Sequence, residues 1–74
     1  GLNPRETEEA MDIIRQIREL GVTIIVVEHV MKVITGICDR VMAINFGREI
    51  TTGPPASVVN HPEVIKAYLG EADA

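Results

Sequence analysis

Residues 22–29 read Val-Thr-Ile-Ile-Val-Val-Glu-His, and the first six are almost all β-branched and apolar. Such a run, with no polar alternation, predicts a strand covered on both faces inside a mostly parallel sheet. It ends abruptly on two ionisable groups, Glu28 and His29. In open α/β sheets ligands bind at the carboxyl ends of the strands, so His29 is the first candidate functional residue. Glu28 beside it has the chemistry of a general base, but strand alternation would point it away from the side His29 faces.

A two-sided strand makes heavy demands on a chain of 74 residues. A single core of this size rarely supplies more than ~3 to 5 kcal/mol without disulfides, metals or partners. Cys38 is the one cysteine, so no intrachain disulfide can form, and no Cys/His spacing suits structural zinc. A small, buried apolar filler is the expected role of Cys38. Aromatics make up 3% of the chain, which leaves no stacking platform for single-stranded nucleic acid. The net charge of -4 and the lack of a basic cluster argue against a phosphate-backbone partner. No apolar run is long enough to span a bilayer, and the polar start is unlike a signal peptide, so a soluble or peripheral protein is expected. The lack of an initiating Met before Gly1 fits a cut or trimmed chain, and equally one shortened by processing.

The flanking segments carry clear punctuation. Asn3 is placed as an N-cap, Pro4 at the first helical position and Glu6 as the far member of a capping box. A helix should follow, with Ala10, Met11, Ile13, Ile14, Ile17 and Leu20 on its apolar face, the charged residues solvated, and Gly21 as its stop. Val30, Val33, Ile34 and Ile37 space a short amphipathic helix within 30–38, weakened by Gly36. Residues 41–45 and 49–52 read as an antiparallel hairpin about a Phe46-Gly47-Arg48 turn, ended by Gly53-Pro54-Pro55. Two short helices, 56–60 and 62–69, precede Gly70 and a frayed tail. His61 reads as a capping or surface residue, and Asp39 and Arg40 as structural. One long helix and about three strands cannot cover a two-sided strand, so the inventory reads as the second half of a larger α/β domain.

The ordered set Gly1-Leu2-Asn3-Pro4, long helix, strand ending Glu28-His29, Cys38-Asp39-Arg40-Val41, Phe-Gly-Arg turn and Thr52-Gly53-Pro54 resembles the C-terminal portion of an ABC transporter ATP-binding subunit. The ending Pro62-Glu63-Val64-Ile65-Lys66-Ala67-Tyr68-Leu69-Gly70 is most similar to the branched-chain amino acid importer group. The fold this implies is α/β: part of a P-loop NTPase-like domain occupying 1–74, with the D-loop, the switch-histidine strand, a C-terminal hairpin and flanking helices.

By that resemblance Gly1, Leu2, Asn3 and Pro4 match the D-loop, at the interface with a second ATP-binding subunit. Asn3 stands where many members have Asp. His29 matches the switch histidine, whose side chain contacts the γ-phosphate of ATP and helps organise the attacking water. Val30 stands where an Asp often follows, which removes a polar neighbour and leaves the phosphate contact itself intact.

The chain has no G-x-x-x-x-G-K-[ST] phosphate loop, no family signature motif and no acidic Walker B strand end. ATP and Mg therefore belong to the complete subunit, and no cofactor, metal or turnover is expected of these residues alone. The implied partners are the second ATPase subunit and transmembrane permeases, with the protein peripheral on the cytoplasmic face of the membrane. The isolated chain is expected to self-associate. A second reading is a small non-catalytic α/β interaction module that binds a partner through its uncovered faces.

Overall fold

The computed structural model describes residues 3–68, which fall into two compact units, 1–37 and 38–74. Gly1, Leu2, Leu69, Gly70 and the tail from Glu71 lie outside the described residues.

The first unit opens with α1 (Pro4–Glu19). Its start is the expected capping box: Glu6 N–H donates to Asn3 Oδ1 at 2.8 Å and Asn3 N–H to Glu6 Oε1 at 3.1 Å. These bonds satisfy amides that a helix N-terminus otherwise leaves unpaired. Gly21, at φ 87, takes the left-handed turn that ends the helix.

A second helix, α2 (Met31–Ile37), packs on α1 and buries Val33, Ile34 and Ile37, while α1 contributes the fully buried Met11. Gly36, expected to weaken this helix, lies within it and makes the close approach possible. A Cβ there would meet the Met11 terminal methyl at 2.5 Å. The last carbonyls of α2 are received by α1: Arg18 Nη1 donates to Ile37 O at 2.7 Å, and Arg15 Nη2 to Gly36 O at 3.5 Å.

The face of α1 that packs is therefore only part of the one its apolar periodicity indicated, with Met11 buried and Ala10 and Ile14 half-buried. Ile13, Ile17 and Leu20 are exposed, and the line of Met11, Arg15 and Arg18 turns toward α2. The physical reason is that α2 is only two turns long, covers one line of α1, and is tied there by polar as well as apolar contacts.

One of those ties is the Lys32–Glu8 pair at 2.6 Å. The Lys32 hydrogen bond, and then its charge, hold the Glu8 carboxyl below the ordinary carboxylate range. A depressed carboxylate pKa gives stabilisation that is present above the unfolded value and lost as pH falls through the folded one. The pair is exposed, so its contribution is small. Carbon-detected titration should find Glu8 ionising at lower pH than an unpaired glutamate, and Lys32→Ala should return it to the ordinary range. An unmoved Glu8 titration in that variant would disprove the tie.

The buried strand expected over 22–29 does not form. Residues 22–30 carry no strand or helix, with Ile25 90% and Val27 96% exposed. An apolar strand is stable only when neighbours take its backbone donors and acceptors, and among the described residues no other segment of its unit is a strand.

The second unit is a hairpin, β1 (Val41–Asn45) and β2 (Arg48–Gly53), followed by α3 (Pro55–Val59) and α4 (Pro62–Tyr68). The antiparallel register pairs Val41 with Gly53 and Asn45 with Arg48. An irregularity between Ala43 and Ile44 leaves Ile50 as the extra residue of a bulge. The turn is shorter than expected: Phe46 and Gly47 alone make it, at φ 52 and 74, and Arg48 already belongs to β2. Positive φ at both central residues matches the right-handed twist of the strands. Ala43, Val58 and Val64 form the core, with Val41 and Ile50 packed against it. Tyr68 Oη donates to Ile44 O, which ties α4 to the hairpin. Of the two roles the sequence left open for His61, capping and surface, it takes the first, its Nδ1 accepting from Glu63 N–H at 3.1 Å at the start of α4. Cys38 is half-buried rather than a core filler, because it lies between the end of α2 and the hairpin instead of inside either element.

Candidate functional site

The sequence singles out two groups of residues, both in the first unit: His29, and the N-terminal tetrapeptide. Asn3 and Pro4 are exposed at the start of α1, and the Asn3 side chain is committed to the capping box. Gly1 and Leu2 fall outside the described residues. No hydrogen bond or ion pair among the described residues joins Asn3 or Pro4 to Glu28 or His29.

His29 is exposed, in the irregular segment two residues ahead of α2. As an exposed residue it is not packed into the interior. Its backbone is held firmly. Glu28 Oε1 accepts from the His29 N–H at 2.8 Å and from the Val30 N–H at 3.3 Å. The Val30 carbonyl then accepts from Val33 N–H at 3.0 Å and Ile34 N–H at 3.2 Å, so the clamp runs directly into the first turn of α2.

Glu28 thus does something that the strand reading missed. Alternation along a strand would send its side chain to the opposite face, but the segment is not a strand and the carboxylate folds back on its own main chain. The signal was present in the sequence: an acidic residue stands just ahead of the short helix, where free amides attract negative charge. Those hydrogen bonds, His29 first and Val30 next, keep the Glu28 carboxyl below its ordinary range.

No group of three or more His, Cys, Asp or Glu side chains among the described residues could hold a metal ion. Among the described residues no helix is long and apolar enough to cross a membrane. What the site offers is one exposed imidazole on a pinned loop, able to donate a hydrogen bond to an anionic oxygen.

Comparison with known proteins gives this site a context. Residues 48–74 match the family described as branched-chain amino acid ATP-binding cassette transporter. Over 73 residues the chain is 45% identical to the high-affinity branched-chain amino acid transport ATP-binding protein LivG of Escherichia coli, covering 97% of this chain and 29% of that protein. It is 44% identical to BraF, the corresponding protein of Pseudomonas aeruginosa, with the same coverage. The methionine import ATP-binding protein MetN of Xanthomonas campestris pv. campestris is 37% identical, with 97% of this chain and 22% of that protein covered. The chain thus spans less than a third of the length of these relatives. No solved structure matches it. Nearly every residue of the chain aligns with the same kind of protein, and its motifs and its relatives agree: in sequence it is similar to the ATP-binding proteins of ABC transporters, and in particular to those of branched-chain amino acid transport.

Proposed function

We propose that the chain is the C-terminal part of the ATP-binding subunit of an ABC importer, and that the complete subunit hydrolyses MgATP to power uptake of branched-chain or similar amino acids. The observation that carries this reading is the placement of His29: solvent-accessible, in the segment that leads into α2, in a chain 45% identical to LivG over 97% of its length. In phosphoryl transfer there is little covalent work for a protein to do, and catalysis rests on positioning and on stabilising charge as it moves. A ring N–H aimed at the terminal phosphate performs that task, and His29 is the residue assigned to it.

The remaining assignments follow from the same reading. Gly1, Leu2, Asn3 and Pro4 form part of the contact with a second ATP-binding subunit. Phosphate-cradling amides, the phosphate-loop lysine and the magnesium ligands come from other segments of the complete subunit. Membrane-embedded permeases are the further partners, with this subunit peripheral on the cytoplasmic side. The exposed Ile13, Ile17, Leu20, Ile25 and Val27 support the half-domain reading, because a complete α/β domain would cover them. The same apolar set is also what a small interaction module would display, and that is the competing reading.

The two separate on nucleotide binding. Isothermal titration of the 74-residue chain should show no micromolar ATP affinity, while the complete subunit should bind and hydrolyse MgATP. The coding sequence should carry G-x-x-x-x-G-K-[ST] roughly 150 residues upstream, within the size of one α/β domain. Micromolar binding by the short chain, or an upstream region without that motif, would favour a different function.

A further inference from the structure

We propose that Glu28 is a positioning residue for His29: its carboxylate grips the main chain of His29 and Val30 and thereby sets where the imidazole points. The inference rests on the role assigned to His29 above.

Three observations support it. The grip is direct, with one carboxylate oxygen accepting from two successive amides at 2.8 and 3.3 Å. It also acts directly ahead of α2, at the end of the apolar run, where Glu28, His29 and Val30 are all exposed. Finally, what it grips is anchored. Val30 hands its carbonyl to the first turn of α2, and α2 is fixed on α1 by the Gly36–Met11 approach and by the Arg18 bond to Ile37 O. The carboxylate therefore links the histidine to the packed helix pair instead of leaving it on a free loop. The same two hydrogen bonds, His29 first, hold the Glu28 carboxyl below the ordinary carboxylate range. Fixing a reacting contact in this way matters because a misplacement of about 1 Å can cost about 100-fold in rate.

A general-base role for Glu28 makes the opposite demand. A clamp needs an acceptor oxygen, which Gln supplies; a base needs a proton affinity, which Gln lacks.

The test uses the complete ATP-binding subunit, with steady-state MgATP hydrolysis and binding of a non-hydrolysable ATP analogue. Glu28→Ala should lower kcat by about 10- to 100-fold with KM, analogue affinity and melting temperature near those of the parent. Glu28→Gln should restore most of the turnover, and Glu28→Ala should add no further loss in a His29→Ala background. If His29→Ala is impaired while Glu28→Ala turns over normally, the positioning role is overturned and the histidine role stands. If His29→Ala itself turns over normally, the underlying reading fails, and this inference fails with it. Equal damage from Gln and Ala would make Glu28 a base. Parallel loss of affinity or melting temperature in Glu28→Ala would make it merely structural.

Discussion

His29→Ala in the complete subunit should lower MgATP turnover by about 100- to 1,000-fold, the range seen when one preorganised donor to a developing charge is removed. Nucleotide affinity should hardly change. The reason for this split lies in when the contact counts. A donor to the γ-phosphate gains strength as charge redistributes in the transition state, whereas ground-state affinity comes from the many contacts to base, ribose and phosphates that other segments provide. The expected signature is a fall in kcat and kcat/KM together, with the binding isotherm of an ATP analogue unmoved. His29→Gln, which keeps an N–H donor on a different stem, should recover part of the loss. Unchanged turnover in His29→Ala would remove the residue from the mechanism.

The largest expected effect on stability belongs to Met11→Ala. Met11 is 2% exposed and its terminal methyl occupies the space that a side chain at Gly36 would need. Truncating a buried methionine costs about 2–5 kcal/mol, the lost burial plus the cavity left behind. That is comparable with the ~3 to 5 kcal/mol available to a core of this size, so the α1–α2 unit should lose its protected amides.

The hairpin unit, whose core is Ala43, Val58 and Val64, should keep its own. Hydrogen exchange read by NMR would report the two units separately. Gly36→Ala provides the cross-check. Alone, it gains about 1 kcal/mol of helix propensity but forces Met11 aside. In the Met11→Ala background the obstruction is gone and the substitution should stabilise. This non-additivity is the mark of a direct contact, and simple additivity would refute it.

Both experiments separate what the residues dictate locally from what packing adds. The capping box at Asn3 and Glu6, the stop at Gly21 and the hairpin about Phe46-Gly47 were legible because each is a local matter. A side chain a few residues away satisfies a backbone group, or a positive φ meets a turn that requires it, and no distant part of the chain has a say. The resemblance to ABC transporter ATP-binding proteins was legible for a related reason, since it rests on residue types in a fixed order.

Facing and pairing could not be read in the same way. The apolar stripe of α1 announced a buried face, but which line is buried depends on the helix that reaches it, and the short α2 covers Met11 and leaves Leu20 80% exposed. The run at 22–29 has every local mark of a strand, yet a strand exists only in hydrogen bonds to neighbours, and the described residues of its unit supply no partner strand. With the ladder absent, the Glu28 side chain is free to turn onto its own backbone. The amino acids by themselves chose the elements that close over a few residues; only tertiary contacts decided which faces are covered and how the loop that carries His29 is held.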